Sequence, residues 1–150
     1  MENTLLRTLI SLSEKLRNNF PDEGTLERNL CLLSPEVHVL AEFWGMSAKE
    51  ALILAGIILW NTEYYFEQCT FQDLARSLNI SNLELTSHYS ELEKLRDNGW
   101  VVAEEVQLDH LHPGRLRYNK TTIKPVISQY GYRYYPDNKV VAQLFLSRDL

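Results

Sequence analysis

The chain has only two cysteines, Cys31 and Cys69, in its 150 residues. Their isolation excludes a disulfide framework and the paired spacing of a zinc site, and both are expected as buried free thiols. Six glycines are present and none builds a phosphate-cradling loop, so the common nucleotide-binding fingerprints are missing. Long hydrophobic runs are missing as well. The most apolar stretch, Ala51 to Trp60, spans ten residues, about half of what a membrane crossing needs. The first helical segment mixes leucine with Arg, Ser, Glu and Lys, so it is amphipathic and does not read as a secretory signal. A cytoplasmic chain that does not enter a membrane is the expectation. No serine or cysteine lies in a nucleophile motif, and the many carboxylates show no catalytic pairing. Asp109, His110 and His112 offer a carboxylate and two imidazoles but lack a fourth ligand for a metal. Catalysis, a cofactor, a bound metal and a small-molecule substrate are therefore not expected.

What the chain does contain is core-forming mass. Eight tyrosines, five phenylalanines and three tryptophans accompany 45% hydrophobic and 23% charged residues, the balance of an ordered globular domain. The length suits one domain with a real core. The net charge of −5 conceals an asymmetry. Residues 1–110 hold 8 Lys/Arg against 18 Asp/Glu, whereas residues 111–150 hold 7 against 2. No acid occurs between Leu111 and Tyr135, where Arg115, Arg117, Lys120, Lys124 and Arg133 fall. An acidic protein does not attract a polyanion over its whole surface, yet a local basic patch still does.

The periodicity predicts a mostly helical chain. Leu5, Leu9, Leu12 and Leu16 recur at helical spacing, so residues 3–19 read as an amphipathic helix closed by Pro21 and Gly24. A second helix starts near Thr25. A third starts with Ser34 as its cap and Pro35 in its first turn, and ends at Gly45. Ser47 to Glu50 is a capping box opening a helix over 48–65 that is apolar all round from Leu52 to Trp60, which marks a central core helix. Gly56 within it calls for a close neighbour. Thr70 to Asp73 repeats the N-terminal signal, Asn79-Ile80-Ser81 breaks the helix, and Ser81 to Glu84 opens another reaching Asn98, stopped by Gly99. Trp100 to Val106 reads as a strand, His112-Pro113-Gly114 as a turn, and Arg115 to Thr122 as the returning strand of a hairpin. Residues 122–129 read as a short helix, 130–136 as irregular. Val140 to Leu146 is an apolar run that fits helix or strand.

Long helix, short helix, tight turn, longer helix and hairpin, in that order, is the winged helix-turn-helix arrangement. Leu74 and Ala75 face the core, while Leu78 and Ile80 plug the corner between the two helices. On the third helix, Leu85, Tyr89, Leu92 and Leu95 share one side with His88, while Thr86, Ser87, Ser90 and Lys94 lie opposite. That small polar stripe fits a major groove, although Glu84, Glu91 and Glu93 flank it and residues 81–98 total −2. A solvated helix face is the competing reading. On the hairpin, Arg115 and Arg117 point the same way, Lys120 and Lys124 follow, and Tyr118 is placed to stack on a sugar or base. Such cations either hold phosphates or pair with Glu104 and Glu105 across the strands.

Residues 34–125 resemble the winged-helix domain at the N-terminus of bacterial AAA-type ATPases. The resemblance lies in Leu33-Ser34-Pro35 through Ala41 to Leu54, in Phe71 to Ser81, and in Leu92 to Val101. It implies a DNA-associated or regulatory module tethered to an ATP-driven motor. No Gly-x-x-x-x-Gly-Lys-Ser/Thr loop occurs anywhere in the 150 residues, so the ATPase itself is absent from them; a piece of a longer ATPase and a stand-alone module both fit. The organisation expected is a helical extension over 1–33, the winged helix-turn-helix domain over 34–125, and a tail over 126–150 packed on it. The expected partner is double-stranded DNA, with another protein chain or a second copy as the alternative. Winged helices host both roles, so the fold alone does not choose.

Overall fold

The computed structural model describes residues 3–18, 23–63, 69–105 and 131–146. Among these, eight helices and one two-stranded antiparallel sheet form in the order α1 (Thr4–Asn18), α2 (Leu26–Leu32), α3 (Ser34–Trp44), α4 (Ala48–Glu63), α5 (Phe71–Ser77), α6 (Asn82–Ser87), α7 (Tyr89–Asp97), β1 (Val101–Glu105), β2 (Tyr132–Pro136) and α8 (Asn138–Leu146). The mainly helical class with a small antiparallel sheet matches the periodicity. No single helix among the described residues is long and apolar enough to cross a membrane.

The core is organised around α4. From Ala51 to Trp60 every residue but Leu59 is buried, as its uniform apolarity requires. Helices α1, α2, α3, α5 and α7 and strand β2 all pack on it. Helix α1 contributes Leu5, Leu9 and Leu12 to the same core cluster, and α8 contributes Val140 and Leu144. Asn3 joins the ends of the chain: its Oδ1 accepts from the Leu6 N–H at 3.0 Å, and its Nδ2 donates to the Leu144 carbonyl at 3.0 Å.

Most helix ends follow their sequence signals. Thr70 and Asp73 form a reciprocal capping box on α5, and Ser47 Oγ accepts from the Glu50 N–H at 3.2 Å. Glu50 then takes the Ser47 hydroxyl proton at 2.9 Å instead of reaching the serine backbone. Leu33, not Ser34, caps α3, with no side-chain bond. Its side chain is fully buried, so core packing fixes the turn between α2 and α3. Gly45 and Gly99 take positive φ values of 68° and 79° after α3 and α7, where a left-handed residue closes a helix. Cys69 is buried but Cys31 is exposed. The expectation of two buried thiols fails at Cys31 because α2 buries only Leu26 and Asn29.

Two further expectations are corrected. The third helix of the motif is not continuous over 82–98: it breaks at His88 into α6 and α7. Residues 130–136 were expected to be irregular, yet Tyr132–Pro136 is strand β2, in register with β1 from Val101↔Pro136 to Glu105↔Tyr132. Among the described residues the partner of β1 is this tyrosine-rich segment. The returning strand expected over Arg115 to Thr122, the short helix over 122–129 and the Asp109, His110, His112 group lie outside the described residues. The apolar run at 140–146 resolves as helix, in α8.

The sheet has a third, shorter participant. Tyr134 donates its N–H to the Cys69 carbonyl at 2.8 Å, and Thr70 bridges Arg133 antiparallel. Strand β2 thus lies between β1 on one side and Cys69–Thr70 on the other. Tyr134 is buried from this central position, and burial pushes its phenol well above the ordinary tyrosine range.

Candidate nucleic-acid interface

Helices α5 and α6 meet at a turn made by Leu78, Asn79 and Ile80. Leu78 and Ile80 are buried in the corner, while Asn79 supplies the positive φ of 58° that redirects the chain. An asparagine tolerates that region better than most residues. The backbone of this turn is satisfied by the segment around α2. Asn29, itself fully buried, donates Nδ2 to the Leu78 carbonyl at 2.7 Å. Gly24 donates its N–H to the Asn79 carbonyl at 3.2 Å and forms a parallel bridge with Ile80. Polar groups so deeply placed need such partners.

A second tie joins α2 to α6. Ser81 Oγ caps the Glu84 N–H at 3.1 Å, but the Glu84 carboxylate does not fold back to complete a box. It accepts the Leu26 N–H at 2.8 Å and lies 3.1 Å from His88 Nε2. A carboxylate only accepts, so Nε2 carries the hydrogen. The Leu26 N–H and, less strongly, His88 hold this carboxyl below the ordinary glutamate range despite an opposing effect of burial. Glu84 is thereby turned toward α2 and held there.

The residues assigned to the outward stripe lie at or near the surface. Ser87, Ser90 and Lys94 are exposed and Thr86 is half-buried, while Leu85, Leu92 and Leu95 are buried behind them. The hydroxyls are engaged locally. Thr86 Oγ1 donates to Asn82 O at 2.7 Å, Ser87 Oγ to Glu84 O at 2.6 Å, and Ser90 Oγ to Glu91 Oε2 at 3.0 Å. Lys94 Nζ is 3.9 Å from Glu91 Oε2, a loose pair that leaves the ammonium largely in water. Glu93 is 3.9 Å from Arg96. The acids flanking the stripe are thus each turned toward a neighbour. Sequence periodicity assigned no role to Leu83, whose side chain is 79% exposed in the first turn of α6. Its signal was available, since Leu83 and Ser87 stand four apart and so share one face of α6.

The β1–β2 ribbon presents Val102 with Tyr135 and Glu104 with Arg133 on its outer face. Arg133 Nη1 is 3.6 Å from Glu104 Oε1. Of the cations between Leu111 and Tyr135, Arg133 is the one within the described residues, and it takes the cross-strand pairing that competed with phosphate binding. The Arg133 side chain is only 22% exposed and its Nε is buried, so little of this guanidinium is open to a phosphate. Arg115, Arg117, Tyr118, Lys120 and Lys124 lie outside the described residues; in the chain they fall in the connection between β1 and β2. Among the described residues no group of three or more His, Cys, Asp or Glu is placed to hold a metal ion. No known protein family, curated protein or solved structure matches this chain.

Proposed function

We propose that the chain is a winged helix-turn-helix module that binds double-stranded DNA and is not itself an enzyme. The observation that carries this reading is topological. A helix pair wedged at Leu78 and Ile80 stands beside a sheet in which β2 lies between β1 and Cys69–Thr70. Helix, strand, helix-turn-helix and paired ribbon in this order form the arrangement that carries one helix into a major groove with a ribbon beside it. Thr86, Ser87, Ser90 and Lys94 then face the groove. Arg115, Arg117, Tyr118, Lys120 and Lys124 serve as the phosphate-holding part of the wing, where contacts position without reading sequence. The resemblance to the N-terminal domain of bacterial AAA-type ATPases adds the proposal that the module delivers DNA or a regulatory signal to a motor.

Fluorescence anisotropy with a labelled duplex across a salt series tests the reading. Binding at about 50 mM salt that weakens steeply as salt rises is expected, because held phosphates release counterions. Absence of binding there, or a flat salt dependence, rejects it.

A protein-docking role is the second reading, and one specific observation favours it. An apolar cleft of about 600 Å³ lies between α1, α4 and α8, with Leu6, Leu59 and Val141 in its walls. Ile10 and Phe145 stand exposed in the same cleft, at 50% and 62%. Exposed apolar surface of this kind marks contact sites when it is contiguous.

A further inference from the structure

The stripe that α6 and α7 turn outward has a chemical bias that DNA binding, on which this inference rests, does not itself require. Leu83 is the most exposed large hydrophobic residue among those described. It occupies the first turn of α6, the part of such a helix that approaches base edges. The hydroxyls assigned to the same surface donate locally: Thr86 to Asn82 O, Ser87 to Glu84 O and Ser90 to Glu91 Oε2. Toward a ligand they act as acceptors. Arginine is absent from the stripe, since Arg96 is half-buried and inclined toward Glu93. The one outward donor is Lys94.

Those properties select among base pairs. Guanine presents two acceptors in the major groove and needs donors opposite it. Adenine presents an amine, which suits an acceptor hydroxyl, and thymine alone among the four bases carries a methyl group there. An A·T pair therefore offers both a donor for the hydroxyls and an apolar contact for Leu83. A G·C pair offers cytosine's amine without the methyl. We infer that the α6–α7 surface reads A·T pairs, with Leu83 packed on the thymine 5-methyl group as the specificity-determining contact.

The test uses the full chain and four labelled duplexes: alternating A–T, the same with uracil for thymine, alternating G–C, and the same with 5-methylcytosine. Thymine duplex is expected to bind at least about fourfold more tightly than uracil duplex, the effect of burying one methyl group. Methylation of cytosine shifts affinity in the same direction. Leu83→Ala removes both differences while the salt dependence persists, and Leu83→Met retains them. Leu83 is 79% exposed and is not among the buried core residues, and far-ultraviolet circular dichroism checks that each variant keeps its helices. Equal binding of thymine and uracil duplexes by the native chain, or continued discrimination by Leu83→Ala, overturns the inference and leaves DNA binding standing. No binding to any of the four duplexes at low salt overturns both.

Discussion

Gly56 sits in the middle of α4, where alanine is favoured by roughly 1 kcal/mol on helix propensity alone. Its absence of a side chain is explained by what faces it. A Cβ at this position would stand 2.7 Å from Leu78 Cδ2, 2.9 Å from Leu78 Cγ and 3.2 Å from Leu74 Cδ1. Leu78 is fully buried and plugs the turn, so it has nowhere to retreat. Ser77 also donates its hydroxyl to the Gly56 carbonyl at 3.0 Å, which fixes α5 at this distance. Gly56→Ala is therefore expected to destabilise the protein by about 1–2 kcal/mol, overpacking outweighing the propensity gain. Urea unfolding followed by circular dichroism measures it; a stabilised variant would show that α5 yields easily. The need for a close neighbour was legible in the sequence, because a glycine inside an apolar helix wants a reason. The identity of that neighbour was not, since Leu78 lies in the turn after α5, 22 residues further along the chain. Asn29 was illegible for the same cause: its partner carbonyl is 49 residues away.

Local rules served well wherever an element is specified by its own residues, and failed where a distant one decides. The capping signals at Ser47, Thr70 and Ser81 each mark a real helix start. The break at His88 carries no proline, glycine or side-chain capping bond, so no residue type announces it. What accompanies it is the attachment of Glu84 and His88 to each other and of Glu84 to α2, a contact across 58 residues. Likewise β2 was missed because its tyrosines acquire strand geometry from β1 and Cys69, neither of them adjacent in sequence. The tie at Glu84 has a measurable pH signature. Its folded-state pKa lies below the ordinary value, so the ionised form favours the fold. That contribution is complete above the ordinary carboxylate range, near about pH 4.3, and disappears as pH falls through the lowered value. Glu84→Gln keeps an acceptor for Leu26 but removes the charge. It should lower stability by about 1 kcal/mol at neutral pH. Unfolding curves between about pH 3 and pH 7 should show the native and variant proteins converging in acid. A constant gap across that range would mean that the charge is irrelevant to the tie.

At the scale of the molecule, α1 is part of the common core and cannot be removed to ask what it touches. Leu5, Leu9 and Leu12 sit among the same residues as α3 and α4. Below them, Glu36 receives Ser11 Oγ at 2.8 Å and Lys15 Nζ at 2.9 Å. Burial raises the Glu36 carboxyl pKa, but these donors outweigh it and leave the group below the ordinary range. The second, protein-docking reading is better probed at the exposed rim of the cleft. If that cleft joins two copies, Ile10→Glu or Phe145→Ser should reduce the mass seen by light scattering after size exclusion, with the melting curve preserved. An unchanged mass in a chain that does associate would clear the cleft of that role.

The position of β2 also bears on how the protein is made. Its strand pairs with residues long since synthesised: Thr70 precedes its bridge partner Arg133 by 63 places. The helices through α7 emerge first and fold through nearer contacts, as N-terminal segments of a growing chain generally do. Until Tyr134 leaves the ribosome, the side of α4 and α5 that it covers stays open to water. A nascent chain halted before residue 131 would display that side to chaperones.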